Sequence, residues 1–327
     1  MFNLITVGDA VVDTQIVIGD AEVECRLDSH NCKLCMDYAS KIPITDSFQT
    51  IGGNAANVAA GASALGLQTA IISAVGNDAN GQLITSELAK QNIDTSLITI
   101  DAKSKTRYSM IINYQGERTI LSYHAPRKYV WPKEIPATDW IYYTSLSEGF
   151  EDLQKKLLAH IAKHPTIRLA MNPGSFQLKN ALDTTMEAIK KTDILIVNLE
   201  EAERITNDTL ESEKSVSSLI HQILELGTKE VVITDGSNGA WVGTEEEIYQ
   251  IGTFPVKVVA KTGAGDAFSS GYLSARFYGN DIPESLRWGI ANSSSVIEQY
   301  GSQKGLLNKN GIKKMMGKYS DIKARRD

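Results

Sequence analysis

The sequence has few cysteines, no long apolar run and no excess of positive charge. Only three of the 327 residues are cysteines, and this odd number argues against an extracellular disulfide framework. No apolar run approaches the roughly 20 residues that span a bilayer, and the first ten residues lack the basic and apolar regions of a signal peptide. The net charge of −6 provides no basic field for nucleic acid or anionic lipid. We therefore expect a cytoplasmic protein without nucleic-acid or membrane partners.

Short, nearly continuous apolar runs alternate with helical patterns along most of the chain. Such runs are typical of parallel strands that are covered on both faces. The runs lie at 4–7, 69–75, 167–171, 193–198 and 230–235, and the helical patterns at 54–65, 81–91, 151–163, 200–205 and 212–226. This alternation predicts an α/β fold with a doubly wound, mainly parallel sheet that is flanked by helices.

Two regions depart from this alternation. Residues 13–50 and 104–123 alternate polar and apolar side chains, and the second region has the pattern of a β-hairpin. This is typical of antiparallel strands with one exposed face. No linker-like stretch and no internal repeat divides the chain. We expect a single domain over 1–327, with a small β-structured lid formed by about 13–50 and 104–123.

The most specific motif is KTGAGDAFSSGYL, which begins at Lys261 directly after a predicted strand. Gly263, Ala264 and Gly265 would leave backbone N–H groups uncovered at a helix N-terminus, where the helix dipole favours an anion. Asp266 would then stand beside this anion hole as a base, as phosphoryl transfer to a hydroxyl requires. The alternative is that Asp266 only caps the helix. The chain has no G-x4-G-K-[ST] motif, which argues against a P-loop kinase.

A second motif, IGGNAANVAAGASALG at 51–66, places a glycine pair directly before an alanine-rich helix. By itself it indicates no more than a glycine turn. Together, the two motifs resemble the two signatures of the ribokinase-like (PfkB) family of carbohydrate and nucleoside kinases. Further family landmarks follow in order, namely GDAVVD, VGND, GERTI, VNLEEAE and TDGSNGA, so the resemblance extends from Asn3 to Gln299.

This resemblance implies a kinase site built from named residues. It implies that Asp266 deprotonates the substrate hydroxyl, while the N–H groups of Gly263, Ala264 and Gly265 stabilise the transferring phosphoryl group. The implied substrate-binding residues are Asp9, Asp13, Gly53, Asn54 and Asn57, and Arg107 on the predicted hairpin is a further candidate. Carboxylates and amides suit a polyol because they bind neighbouring hydroxyls in pairs.

The resemblance also implies ATP and Mg²⁺ as cofactors. Asn198 and Glu201 match the family's N-x-x-E, which organises Mg²⁺ and its waters, so Glu201 is expected to act on the metal through water. Glu200 is the adjacent competitor for this role. The residues expected to bound the nucleotide are Thr234, Gly236 and Gly239, with Asn292 near the adenine.

The chain departs from the family pattern at two places. Many relatives carry an aspartate two residues before T-G-A-G-D, where it helps to bind a monovalent cation, whereas here Ala260 is followed by Lys261. We predict that Lys261 replaces the cation and that activity depends little on K⁺. The second departure is the group Cys25, His30, Cys32 and Cys35, which would suit tetrahedral Zn²⁺. Reduced lid cysteines without metal are the plainer interpretation.

These observations predict an ATP-dependent phosphotransferase that acts on a primary hydroxyl of a small sugar. The alternatives are a nucleoside kinase of the same family, which the aromatic residues of the hairpin would suit, and a non-catalytic sugar-binding regulator. The intact T-G-A-G-D motif argues against the regulator. A homodimer through the lid is compatible with exposed strand edges.

Overall fold

We describe residues 1–25, 32–115, 117–123, 125, 127–208 and 215–327 in a computed structural model of the chain. The strands are β1 (Phe2–Val7), β2 (Val11–Ile18), β3 (Glu22–Cys25), β4 (Cys32–Cys35), β5 (Ile44–Gly52), β6 (Thr69–Gly76), β7 (Ile93–Asp94), β8 (Ile98–Asp101), β9 (Tyr108–Tyr114), β10 (Glu117–Tyr123), β11 (Thr138–Tyr143), β12 (Arg168–Met171), β13 (Ile194–Asn198), β14 (Glu230–Thr234), β15 (Ala240–Gly243), β16 (Ile248–Ile251) and β17 (Arg325–Arg326). The helices are α1 (Asn54–Ala64), α2 (Ala79–Lys90), α3 (Glu151–Lys163), α4 (Ser175–Asn180), α5 (Leu182–Ile189), α6 (Leu199–Thr206), α7 (Val216–Glu225), α8 (Ala264–Phe277), α9 (Ile282–Val296) and α10 (Lys309–Lys318).

The main sheet has the strand order β17-β16-β15-β14-β13-β12-β11-β1-β6-β7, with β8 also paired to β6. The strands from β14 across to β7 run parallel, whereas β15, β16 and β17 add an antiparallel edge. The five predicted apolar runs are β1, β6, β12, β13 and β14 of this sheet. The predicted helix at 212–226 is observed as α7, and its first three residues lie outside the described part of the chain.

The central strands of the main sheet are buried on both faces, which explains why they are continuously apolar. On one face Ile5 packs in a layer with Leu153 of α3, and on the other face Leu4 packs in a layer with Tyr272 of α8. Adjacent residues of β1 therefore enter different layers of the core, because side chains alternate along a strand. The expectation of a doubly wound sheet with helices on both faces is confirmed.

A separate small sheet has the order β10-β9-β2-β5 and is built from the two regions that depart from the α/β alternation. The hairpin of β9 and β10 and the pairing of β2 with β5 are antiparallel, as expected. The pairing of β2 with β9 is parallel, so the expectation of a purely antiparallel sheet was wrong. These two strands come from distant parts of the chain, and no turn dictates their relative direction.

The remaining strands of the first region form a two-stranded hairpin, β3 with β4. Cys25 and Cys32 are direct partners in it and are joined by a disulfide bond, while Cys35 is free. The expectations of a zinc site and of reduced cysteines are both corrected here, because a disulfide sulfur is no longer a thiolate ligand. His30, the fourth proposed ligand, lies outside the described residues. Among the described helices, none is long and apolar enough to cross a membrane.

Candidate active site

Polar residues gather where the parallel strands of the main sheet end. Asp9 follows β1, Asn172 follows β12, Asn198 ends β13 and Thr234 ends β14. Parallel strands place their carboxyl ends at one edge of the sheet, and ligands of such folds bind in the crevice outside this edge. The sheet topology therefore brings these residues, which are distant in sequence, to one side of the molecule.

The N-terminus of α8 faces the same crevice. Gly263 immediately precedes the helix with φ of +81°, and a Cβ there would lie 2.6 Å from the Cα of Ser302, so only glycine fits. At Gly265, in contrast, an added Cβ would meet no atom within 4 Å. The N–H groups of the first turn of an α-helix have no partner within the helix. This end of α8 is therefore an open position for an anion.

Asp266 lies in the first turn of α8, only 8% exposed, and two asparagines of α1 hold its carboxylate. Asn54 Nδ2 donates to Asp266 Oδ1 at 3.0 Å, and Asn57 Nδ2 donates to Asp266 Oδ2 at 2.8 Å. The amide of Asn57 is itself oriented, because its Oδ1 accepts hydrogen bonds from Ser302 Oγ at 3.0 Å and Gln303 Nε2 at 3.1 Å. The carboxylate of Asp266 is thus fixed in position by a buried polar network.

Burial raises the pKa of Asp266 to about 7, and the hydrogen bonds from Asn57 and Asn54 only partly oppose this effect. The nearby carboxylates of Glu201 and Asp13 contribute smaller parts of this rise in the pKa of Asp266. A general base is most effective when its pKa lies near the operating pH. The environment of Asp266 therefore brings its pKa close to neutral pH, which is compatible with such a base.

Next to Asp266 is a cavity of about 250 Å³, which we call the acceptor cavity. Its lining includes all six residues expected to bind substrate: Asp9, Asp13, Gly53, Asn54, Asn57 and Arg107. The small sheet adds Tyr108 and Tyr123, whose rings lie 5.3 Å apart between centroids, as well as Ser109, Ile120 and Ser122. Sequence reasoning had noted only that this hairpin is aromatic, because strand alternation does not show which face meets a cavity.

The charged residues of the acceptor cavity differ in how far they are already paired. Arg107 Nη1 donates to Asp9 Oδ2 at 2.6 Å, and Tyr129 Oη donates to Asp9 Oδ1 at 3.0 Å. The Arg107 guanidinium also donates to the Ala125 carbonyl at 3.3 Å and to the Ser147 hydroxyl. Burial raises the pKa of Asp13 to about 6, so this side chain is ionised at neutral pH. The cavity therefore offers carboxylates to a ligand, while its arginine is engaged by protein groups.

A second cavity, of about 280 Å³, lies on the other side of Asp266, and we call it the phosphoryl cavity. Its lining residues are Asn54, Arg118, Asn172, Ile196, Val197, Asn198, Glu201, Thr234, Lys261, Gly263, Ala264, Gly265, Asp266 and Ser269. Asn198 and Glu201 form a capping box at the start of α6, with reciprocal hydrogen bonds of 2.8 and 3.0 Å. Glu200, the competing residue, instead points toward solvent and pairs with Arg204.

Burial raises the pKa of Glu201 above its usual value, although hydrogen bonds from the Asn198 backbone and from Asn172 lower it. Mg²⁺ prefers hard oxygen ligands, uses few carboxylates and keeps several of its waters. The oxygen atoms of Glu201, Asn172 and Asn198 around this cavity fit a Mg²⁺ ion that is held largely through water.

The third cavity, about 600 Å³, lies between the β14 end, α8 and α9, and we call it the nucleotide cavity. Thr234, Gly236 and Gly239, the residues predicted to bound the nucleotide, line this cavity. Asn292 does not: it is completely buried, donates to the Ala267 carbonyl and Ser270 hydroxyl, and accepts from the Leu307 N–H. The expectation that Asn292 lies near the adenine was therefore wrong, since its amide is consumed in joining α8 to α9.

Other residues of α9 line the nucleotide cavity instead. These residues are Ile290, Ser293, Ser294 and Ile297, the last directly after the helix. They follow the i, i+3, i+4, i+7 spacing of one helix face, and this periodicity is the signal that could have found them. The loop before α8 adds Phe254, Pro255, Val256 and Val258, which give the cavity an apolar wall.

Lys261 lies at the boundary of the nucleotide and phosphoryl cavities and lines both. Its Nζ donates to Glu117 Oε1 of β10 at 2.9 Å, and the lysine side chain is 57% exposed. The ammonium therefore does not fill a buried cation position. Low dependence on K⁺ stays a prediction, based on the missing carboxylate at Ala260.

Residues 14–309 match the pfkB family of carbohydrate kinases. An uncharacterized sugar kinase of Archaeoglobus fulgidus is 27% identical over 75% of this chain and 98% of its own length. The ribokinase of Staphylococcus aureus is 26% identical over 77% of this chain and 83% of its own length.

Among solved structures, the ribokinase of Arabidopsis thaliana, complexed with ribose and ATP, has a TM-score of 0.78 at 21% identity and covers 96% of this chain and 98% of its own. A putative ribokinase II of E. coli, in complex with ATP and Mg²⁺, has a TM-score of 0.79 at 20% identity, with coverages of 97% and 100%. Both share the fold described above. Because the family match extends over most of the sequence, we conclude that the chain belongs to the pfkB family of carbohydrate kinases.

Proposed function

We propose that the protein transfers the γ-phosphoryl group of ATP to a primary hydroxyl of a small, uncharged sugar, with Asp266 as the base. The observation that supports this most directly is the continuity of the three cavities. The acceptor and phosphoryl cavities share Asn54, Gly263 and Asp266. The phosphoryl and nucleotide cavities share Thr234, Lys261, Ala264 and Gly265. A sugar, a transferring phosphoryl group and a nucleotide can therefore lie in one row, with Asp266 and the start of α8 at its centre.

In this reaction the sugar hydroxyl gives its proton to Asp266 as its oxygen forms a bond to the γ-phosphorus. The bond from that phosphorus to the bridging oxygen breaks, and ADP leaves with the bonding electrons. The N–H groups at the start of α8 donate to the phosphoryl oxygens, whose negative charge the helix dipole also stabilises. Glu201, Asn172 and Asn198 would hold Mg²⁺ largely through its waters, and the ion would supply positive charge beside the nucleotide phosphates.

We further propose that the small sheet serves as the lid. Tyr108, Ile120 and Tyr123 lie over the acceptor cavity. Their apolar surfaces would exclude water once a sugar is bound and so protect ATP from hydrolysis. With the lid, residues 1–327 form one functional domain.

The charges of the acceptor cavity support an uncharged substrate. Asp9, Asp13 and Asp266 line the cavity, and the guanidinium of Arg107 is already bound to Asp9. A phosphate or carboxylate on the substrate would meet these carboxylates without an unpaired cation among the described lining residues. Hydroxyl groups, in contrast, can donate to carboxylates and accept from Asn54 and Asn57.

A panel of ribose, fructose, glucose, fructose 6-phosphate and nucleosides, scored by ADP formation, tests the proposal. We expect a neutral sugar to be phosphorylated fastest, and Asp266→Asn to lower kcat about 10²- to 10⁴-fold with little change in ATP affinity. Activity that survives this substitution would show that Asp266 is not the base. The Tyr108–Tyr123 pair would also suit a stacked nucleobase. A nucleoside that is phosphorylated faster than every sugar would therefore show that the acceptor is a nucleoside. If no member of the panel promotes ADP formation, the non-catalytic alternative is favoured.

We also propose that two copies associate through the lid. Strand β10 lies at an edge of the small sheet and is exposed along its whole length, with Leu121 more than half exposed. Exposed apolar edge strands tend to pair with a second chain. Light scattering of the wild-type chain and of Leu121→Asp tests this: a wild-type monomer at assay concentrations would contradict it.

A further inference from the structure

Lys261 occupies a place in the cleft that its present ion pair does not explain. Among the described residues that line the nucleotide cavity, it is the only basic one, and it also lines the phosphoryl cavity. Its carbonyl accepts a hydrogen bond from the N–H of Ala264 at 3.4 Å, which ties its backbone to the turn that opens α8. The backbone of Lys261 is therefore held at the boundary between the two cavities. From there its ammonium group can reach the place where the terminal phosphates of a nucleotide would lie.

The present partner of Lys261 is a weak competitor for its charge. Glu117, at the start of β10 in the small sheet, is 74% exposed, and Lys261 is 57% exposed. Ion pairs as exposed as this contribute little to stability and are screened by salt. A di- or triphosphate carries several charges and accepts charge-assisted hydrogen bonds from an ammonium group and from a helix N-terminus.

We propose that Lys261 binds the terminal phosphates of the nucleotide and leaves Glu117 when it does so. This inference rests on the proposed function, because it requires a nucleotide in the nucleotide cavity. Glu117 and the nucleotide then compete for one ammonium group. Since competition of this kind is reciprocal, an occupied nucleotide cavity frees the β10 end of the small sheet, and an empty cavity lets Lys261 hold it.

If Glu117 and the nucleotide compete for Lys261, replacing Lys261 and replacing Glu117 should change the MgADP affinity in opposite directions. Lys261→Met removes the phosphate ligand, and we expect MgADP to bind at least about tenfold more weakly. Glu117→Gln removes the competitor, and we expect MgADP to bind more tightly, by up to about fivefold. AMP, which lacks the terminal phosphates, should bind to both variants nearly as it binds to the wild-type chain. In the double variant, Glu117→Gln should have no further effect, because the group it competes for is gone.

Isothermal titration calorimetry of MgADP and AMP with the four proteins measures these affinities. The matched controls are Lys156→Met and Asp152→Asn on α3, which change charge in the same way within an exposed pair of 53% and 69% exposure. These controls correct for the general effect of net charge on anion binding. Circular dichroism shows whether all the variants are folded.

An unchanged MgADP affinity in Lys261→Met would overturn the inference, and so would a loss of affinity of similar size in Lys261→Met and Glu117→Gln. The latter result would mean that the ion pair only supports the shape of the cleft. If the wild-type chain binds neither ATP nor ADP, the proposed function falls and this inference falls with it. Nucleotide binding by the wild-type chain thus separates the two failures.

Discussion

Replacing Asn57 by alanine tests how the asparagine pair controls the acidity of Asp266. Asn57 donates to Asp266 Oδ2 at 2.8 Å, and this hydrogen bond lowers the pKa of a carboxyl that burial has raised to about 7. A hydrogen bond to a charged group contributes roughly 1.5–3 kcal/mol, and one pKa unit corresponds to about 1.4 kcal/mol. Loss of the donor should therefore raise the pKa of Asp266 by about one to two units, to between about 8 and about 9.

The sign of the effect on rate follows from the proposed role of Asp266 as a base. The base must be ionised, so kcat/KM of the wild-type enzyme should rise with pH through about 7 and level off above it. In Asn57→Ala the ionised fraction at pH 7 falls from about one half to between about one tenth and one hundredth. We therefore expect kcat/KM at neutral pH to fall about 5- to 50-fold and to recover as the pH is raised past about 9.

The assay is direct chromatographic measurement of ADP formation across the pH range, which avoids coupling enzymes with their own pH dependence. Gln303→Ala is the control, because Gln303 bonds to Asn57 Oδ1 and not to Asp266, while Ser302 still orients the amide. The pH at which kcat/KM of Gln303→Ala reaches half its maximum should differ from the wild-type value by less than about half a pH unit. If Asn57→Ala unfolds at the same temperature as the wild-type enzyme and its kcat/KM still rises with pH through about 7, Asp266 is not the titrating group.

Three further outcomes are expected. Gly263→Ala should lower the free energy of unfolding in urea by at least about 2 kcal/mol, since its backbone is left-handed and the added Cβ has no room, whereas Gly265→Ala should cost little. Alkylation before reduction should modify one thiol, that of Cys35, and three modified thiols would contradict the Cys25–Cys32 bond. Replacing K⁺ by an inert cation should leave kcat nearly unchanged, because Ala260 supplies no carboxylate, and a large activation by K⁺ would contradict this.

The parts of the fold that depend on burial could be predicted from the sequence. Strands such as β6 are buried at every position, so they are continuously apolar and easily recognised. β15 and β16 escaped prediction because each is four residues long and mixes apolar residues with a half-buried aromatic and a residue that is not typical of a buried strand, namely Trp241 with Gly243 in β15 and Tyr249 with Gln250 in β16. Their position at the antiparallel edge of the main sheet relaxes the requirement for apolar side chains on both faces.

At the site, the motifs predicted which residues gather but not how they are bonded. Asp9, Asp13, Asn54 and Asn57 all line the acceptor cavity. Asp9 follows β1, Asn54 and Asn57 lie at the start of α1, and Asp13 lies within β2 of the small sheet, so the topology brings different places of the chain together. Asn292 shows the opposite case. A polar residue in a helix next to a cavity is as well suited to satisfying buried backbone groups as to binding a ligand, and only the packing of α8 against α9 decides between them.

Lys261 marks the point at which sequence reasoning fails for a physical reason. The sequence shows a lysine beside T-G-A-G-D, but its partner Glu117 is 144 positions away, on a strand of the small sheet. Exposed pairs between long side chains have no periodicity and little energy to constrain them. The same weakness supports the proposal that the ammonium changes partners when phosphates bind. The Lys261–Glu117 pair therefore contributes little to the stability of the fold, and its position at the cleft suits the proposed exchange with nucleotide phosphates.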